Sequence, residues 1–262
     1  MLEVIDKGSV TEAHPVPLLF VHGACHGAWC WDEHFLDFFA DNGYRAVALS
    51  LRGHGSSHMS APLNSCSIPD YVDDVSEVVR RLASVPVLVG HSMGGFVVQK
   101  FLESNAAPAG ILMASVPPRS YAATQLRATL QHPWLAVKLN VTRDPVSIYD
   151  GPARVREILF SKHTPEATVE KCFSLLDGES YRVMGPDMAL LHRVRPERVS
   201  APVLVLGGEQ DGHLNLRAFQ STARAYHTVP DIFPDMGHDM MLEPGWQAVA
   251  ERIDRWLAGQ GL

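Results

Sequence analysis

Nowhere in its 262 residues does this sequence hold an uninterrupted apolar stretch of about 18 residues, so a membrane-spanning helix is excluded. Basic clusters are missing too. No run of Lys and Arg is longer than a pair, and 22 basic residues face 29 acidic ones for a net charge of −7. Such a chain is a poor partner for nucleic acid or for an anionic membrane surface. The opening residues, Met1-Leu2-Glu3-Val4-Ile5-Asp6, lack the basic segment and apolar core of a secretory signal, so none is expected. Cysteine is scarce. Cys25, Cys30, Cys66 and Cys172 form no Cys-x-x-Cys pair, which speaks against zinc and thioredoxin-type sites and for free thiols in a reducing cytoplasm. Internal repeats and low-complexity segments are also absent.

What is present is a large apolar fraction, 46% against 19% charged, enough to build a sizeable core. Its first half alternates strands with helices. Apolar strands are predicted at 17–21, 44–49, 85–89 and 110–114, separated by helical patterns at 31–42, 68–82 and 92–104. This rhythm predicts a doubly wound, mostly parallel α/β sheet with helices on both faces. The rhythm breaks at Pro117-Pro118 and resumes at Val203, with a helix near 216–225, a strand near 229–233 and a last helix over 244–257. Between them lie helical patterns at Tyr121–Gln131, Pro152–Ser161 and Pro165–Leu176. The expected division is therefore a core of residues 1–116 and 202–262 with a helical cap inserted at 117–201.

One pentapeptide stands out: Gly90-His91-Ser92-Met93-Gly94, at the end of the run Val85-Pro86-Val87-Leu88-Val89. A strand that ends in Gly-x-Ser-x-Gly and enters a helix makes a sharp turn that lifts the serine hydroxyl clear of the sheet edge. Gly90 and Gly94 are expected where strand and helix approach too closely for a side chain. A serine hydroxyl needs a base, and the base needs a carboxylate to hold its tautomer. In doubly wound hydrolases these follow in the order Ser, acid, His. Asp211, just past the strand at 203–206, and His238, in Pro234-Asp235-Met236-Gly237-His238-Asp239, meet that order. Glu209 is a competing acid. An aspartate after a strand is also a common helix cap, and a histidine there a common surface residue; order and placement after Ser92 favour the catalytic roles. His22, His54 and His91 are expected to shape their surroundings, and His213 to be ordinary loop polarity.

Acyl transfer places negative charge on a carbonyl oxygen, which calls for two fixed backbone N–H donors. Met93 follows the serine at the start of a helix. Ala24 lies in the glycine-containing loop His22-Gly23-Ala24-Cys25-His26-Gly27-Ala28-Trp29, after an early strand. Trp29 and Trp31 are expected to anchor the core. In the cap, apolar side chains such as Trp134, Leu139, Phe173 and Leu190 are expected mainly to pack, and Phe160, Met184 and Met188 are candidates for lining a substrate pocket.

Taken together, the His22–Trp31 segment, Leu51-Arg52-Gly53-His54-Gly55-Ser56, Gly90-His91-Ser92-Met93-Gly94-Gly95 and the Asp211 and His238 segments resemble the α/β-hydrolase superfamily. The first segment resembles the branch of plant methylesterases and hydroxynitrile lyases. The resemblance implies Ser92 as nucleophile, His238 as base, Asp211 as its orienter, and Ala24 and Met93 as oxyanion donors, with no metal or organic cofactor. Two departures bear on the chemistry. The lyases of that branch carry threonine and lysine where this chain has Gly23 and Asp239, and an aspartate would disfavour release of cyanide as an anion. The expected function is a cytoplasmic serine carboxylesterase, monomer or homodimer, acting on small or medium apolar esters. A C–C bond hydrolase, a hydroxynitrile lyase and a ligand-binding receptor on the same fold are the alternatives.

Overall fold

Strand residues two apart face the same side of a sheet, and here both sides are apolar. The computed structural model describes residues 1–262 apart from 120, 122–125, 127, 128, 131 and 132 and the side chain of 135. Within it, β1 (Val4–Lys7), β2 (Leu18–Val21), β3 (Ala46–Leu49), β4 (Val87–His91), β5 (Gly110–Met113), β6 (Val203–Gly208) and β7 (Pro230–Phe233) form one sheet. Their order is β1-β3-β2-β4-β5-β6-β7. The edge strand β1 pairs antiparallel with β3, and every other described pairing is parallel. Leu18 and Phe20 of β2 pack into one core, while Leu19 and Val21 pack into the other. Burial on both sides is why these strands read as continuous apolar runs.

The first core receives α1 (Trp29–Asp32), α2 (Phe35–Asp41) and the last helix, Trp246–Gln260. The second receives α3 (Ile68–Arg81) and α4 (Ser92–Leu102). A capping box starts α3: the Ser67 hydroxyl accepts from the Asp70 N–H while the Asp70 carboxylate accepts from the Ser67 N–H. The helix expected over 31–42 is broken in two, because His34 leaves helical geometry at φ −149°. Trp31, Phe35, Leu36 and Phe39 still form one buried stripe, which is why the pattern reads as a single helix.

The chain leaves β2 toward β3 on one side, and β4 takes the place on β2's other side. This reversal of strand order opens a crevice at the carboxyl ends of β2 and β4. Val21 and Gly90 are register partners there, so the residues after β2 and after β4 emerge side by side.

Between the neighbouring strands β5 and β6 the chain makes a long helical excursion. It contains helices Pro133–Thr142, Pro152–Leu159 and Glu166–Leu175 and a π-helical turn at Val183–Leu191 that includes Pro186. The helix expected at Tyr121–Gln131 falls mostly outside the described residues. Polar contacts fasten the excursion to α3 and to the loops after β2 and β3. Glu179 accepts from the Tyr71 hydroxyl at 2.6 Å and meets His54 Nε2 at 3.1 Å. Asp187 accepts from the Ile68 N–H, and the Asp177 N–H donates to the Cys25 carbonyl. The hydrogen bonds to the Glu179 and Asp187 carboxylates contribute about 1.5–3 kcal/mol each.

Candidate active site

Ser92 sits on the turn between β4 and α4 at φ +50°, a left-handed conformation that is strained for a side chain with a Cβ. The turn closes only because its neighbours are small. A Cβ on Gly90 would lie 2.6 Å from the Gly94 carbonyl oxygen and from Gly95 Cα. Gly94 packs against a different partner from the one expected: a Cβ there would run into the Val21 and His22 carbonyls at the end of β2. The serine is thus pressed toward the loop that follows β2.

That loop is held by His22 and His26. His22 Nδ1 bonds the Gly23 carbonyl at 2.7 Å, and its Nε2 accepts from the Leu51 N–H at 3.0 Å. His26 Nδ1 bonds the Ala24 carbonyl at 2.8 Å. Cys25 is itself left-handed at φ +63°. In this shape the Ala24 N–H makes no hydrogen bond among the described residues. Met93 lies in the first turn of α4, where helical N–H groups lack an intrahelical acceptor. Its side chain is buried in the second core, so only its backbone is offered at the turn.

His238 follows β7 and Asp211 follows β6. Asp211 Oδ2 lies 2.7 Å from His238 Nδ1, and its Oδ1 accepts from the backbone N–H groups of His213 and Leu214. Glu209 is exposed and makes no hydrogen bond or ion pair with His238, whose carboxylate partner is Asp211. Burial disfavours the His238 imidazolium, but the adjoining Asp211 carboxylate outweighs it and raises the pKa above 6.5. The His238 carbonyl accepts from His91 Nε2 at 3.0 Å. The His91 ring, 4.8 Å from that of His238 between centroids, is pushed down to about 3 by its burial and by His238.

Ser92, His238, Ala24, His91 and His213 line one narrow cavity together with Cys25 and His26 from the sheet side. The helical excursion supplies Pro145, Ile148, Tyr149, Leu159 and Met184. The cavity volume of about 20 Å³ is room for roughly one water molecule. No hydrogen bond joins the Ser92 hydroxyl to His238 in this closed form; such contacts commonly tighten when substrate arrives.

Of the three cap residues expected at a substrate pocket, Met184 lines this cavity, and Phe160 and Met188 do not. Phe160 is buried in the first core, with its backbone against Gly237 under the His238 loop. Met188 is buried in the second core. Ile148 and Tyr149, outside the expected set, take the lining positions because a short 3-10 turn at Pro145–Ile148 points them inward. His213 is not ordinary loop polarity either. Its ring stands 5.2 Å from that of His238 and lines the cavity. Its position two residues beyond Asp211, at a strand's carboxyl end, is the signal that marks it. Trp31 is a core anchor as expected, wedged between Phe20 and Phe35, and Trp29 stacks on His26.

Asp239 turns away from the cavity. Its Oδ2 lies 3.0 Å from His26 Nε2 and 3.8 Å from the Cys172 thiol. The ligand atoms of these three buried side chains fall within 4.8 Å of one another, a grouping of donors that the spacing of cysteines in sequence cannot reveal. His26 Nε2 and Asp239 Oδ2 already pair with one another, while the buried Asp239 Oδ1 has no hydrogen-bond partner among the described residues. All four cysteines are free and buried. Burial raises the pKa of the Cys172 thiol, and so does the nearby Asp239 carboxylate.

The sequence model of the alpha/beta hydrolase family matches residues 18–252. The chain belongs to the alpha/beta hydrolase family. Among the relatives of this alpha/beta hydrolase, norfluorocurarine synthase 2 of a Strychnos species is 27% identical over 148 residues, covering 54% of each chain. The chain thus matches about half the length of that relative. The probable esterase PIR7A of Oryza sativa is 27% identical over 179 residues, covering 62% of this chain and 66% of the other. Methyl jasmonate esterase 1 of Vitis vinifera is 36% identical over 88 residues, 32% of this chain and 33% of the other. In three dimensions the hydrolase superposes on a thermophilic esterase from Thermogutta terrifontis with a TM-score of 0.76 at 21% identity, covering 100% and 94% of the two chains. The superposition shows a shared fold. No described helix is long and apolar enough to cross a membrane.

Proposed function

We propose that the protein is a serine carboxylesterase of small, uncharged esters. The observation that carries this is the Asp211–His238 pair at 2.7 Å, opening on the same cavity as a serine held in a strained strand-to-helix turn. In the proposed cycle the Ser92 hydroxyl attacks the ester carbonyl while His238 Nε2 takes its proton. Asp211 holds Nδ1 and stabilises the imidazolium. The oxyanion accepts hydrogen bonds from the Ala24 and Met93 N–H groups, each worth about 2.7–4 kcal/mol in the transition state. His238 then protonates the departing alcohol, and the acyl-serine is hydrolysed by water that the same imidazole activates.

Residues 117–201 act as a cap over a core of 1–116 and 202–262. The cap side of the cavity is apolar apart from Tyr149, and no Lys, Arg, Asp or Glu lines the cavity, so an uncharged substrate fits. With room for about one water, Ile148 and Met184 must give way as substrate enters. The test is Ser92→Ala, expected to lower kcat on p-nitrophenyl butyrate by about a millionfold and to abolish stoichiometric labelling by a fluorophosphonate. Normal turnover by the variant would refute the assignment.

A further inference from the structure

Two polar side chains on the cavity wall take no part in the proposed cycle. Tyr149, from the cap side, is half-buried, and its hydroxyl makes no hydrogen bond among the described residues. His213, from the sheet side, is half-buried too. Its backbone N–H is taken by Asp211, but its ring nitrogens have no protein partner among the described residues.

The other histidines on the wall are accounted for. Both nitrogens of His26 are engaged, by the Ala24 carbonyl and by Asp239. His91 bonds the His238 carbonyl through Nε2, and its free Nδ1 is sealed from the cavity, facing Gly23. Tyr149 and His213 are therefore left as open hydrogen-bonding groups beside the reacting atoms.

Polar side chains that face a cavity without partners cost free energy unless a ligand or water satisfies them. Both groups are uncharged at neutral pH. Burial keeps the Tyr149 phenol protonated, and burial with the neighbouring His238 holds His213 down to about 4. Neutral groups suit an uncharged oxygen; a carboxylate or phosphate would call for a cation, and the wall offers no Lys or Arg.

We propose that Tyr149 and His213 form a polar subsite that recognises a neutral hydroxyl or keto oxygen on the substrate, so that the preferred esters are oxygenated rather than purely alkyl. This rests on the serine esterase assignment. The phenol can donate to either oxygen type. The imidazole can donate through one nitrogen and accept from a hydroxyl through the other. A site that hydrogen-bonds a substrate oxygen discriminates against the analogue that lacks it, because its own polar groups are then left unpaired.

The experiment uses matched ester pairs. One pair differs in the acyl part, methyl butanoate against methyl hydroxybutanoate, and one in the alcohol part, butyl acetate against hydroxybutyl acetate. In at least one pair the oxygenated ester is expected to have a kcat/KM about tenfold higher, carried mainly by KM. Tyr149→Phe and His213→Leu should each bring that ratio toward one, and His213→Gln, which keeps a donor and an acceptor, should restore part of it. Ratios near one in both pairs for the unaltered protein, or ratios that neither variant moves, would overturn the subsite. Calorimetric binding of the matched ketones, which cannot be hydrolysed, reads the same preference without turnover. If the esters are not cleaved but the hydroxyketone binds about tenfold tighter, the esterase assignment fails and the subsite stands. If esters are cleaved and the ketones bind alike, the subsite fails alone.

Discussion

Asp239 Oδ2 lies 3.0 Å from His26 Nε2, with both side chains buried, and this pair joins loops 213 positions apart in the chain. One loop carries Ala24 and the other His238. The donor of one proposed oxyanion contact and the proposed base are thus held to one another through a buried pair, one member of which, His26, lines the cavity. The departure at position 239 from the lyase pattern is structural as much as chemical: the carboxylate serves the loop, not the cavity.

Removing that carboxylate should be costly. Asp239→Ala leaves His26 buried without its counter-charge, and an expected loss of about 3–5 kcal/mol is to be read from urea unfolding. The pH dependence has a definite sign. Burial favours neutral forms of both groups, but each partner outweighs it, lowering Asp239 below 3.8 and raising His26 above 6.5. The Asp239 contribution is full above 3.8 and lost as the pH falls through its lowered value. The His26 contribution is full below 6.5 and lost as the pH rises through its raised value. The pair therefore stabilises most between those limits, and Asp239→Ala should flatten the pH profile of stability on both sides.

Asp211 and Glu209 are separable by experiment. Asp211→Asn should lower kcat by about ten-thousandfold, while Glu209→Gln, at an exposed position, should stay within about threefold. The base works as the neutral imidazole, so raising the His238 pKa moves the acid limb of kcat/KM above 6.5. Asp211→Asn should shift that limb to lower pH.

Gly23→Thr tests the crowding beside the nucleophile. A Cβ at Gly23 would lie 2.6 Å from His91 Nδ1 and 3.1 Å from Ser92 Cβ. Overpacking of this kind costs about 1–3 kcal/mol, and ester turnover should fall with it as Ser92 is displaced. The threonine of the lyase branch cannot enter this site without the His91 ring moving. Full activity and unchanged unfolding in the variant would contradict the packing described.

Glu243 is the latch between the helical excursion and the His238 loop. Its buried carboxylate accepts from the N–H groups of Ser161 and Gly237 and from the hydroxyls of Ser161 and Thr164. Glu243→Leu strands those donors, and about 3 kcal/mol or more of stability should be lost in urea unfolding. Glu243→Gln keeps an acceptor and should cost less.

The short edge strand β1 is invisible in the pattern because its four residues alternate between exposed and half-buried and end in Asp6 and Lys7. Pairing with β3, not local preference, makes it a strand. The central strands are different: Leu18–Val21 and Val87–His91 are buried on both faces, and a continuous apolar run announces that directly.

The order strand, Gly-x-Ser-x-Gly, helix, and the later Asp211 and His238 after their own strands, were determined by contiguous residues. Steric closure of the Ser92 turn and burial of parallel strands act over a few positions, so the sequence alone carries them. Only the tertiary structure decided that Asp211 and not Glu209 meets His238, that Asp239 faces His26, and that Tyr149 and His213 line the cavity while Phe160 and Met188 fill the cores. Those outcomes depend on how the helical excursion settles onto the sheet. An apolar side chain is stabilised nearly equally by packing into a core or by lining a cavity, so periodicity cannot tell the two apart.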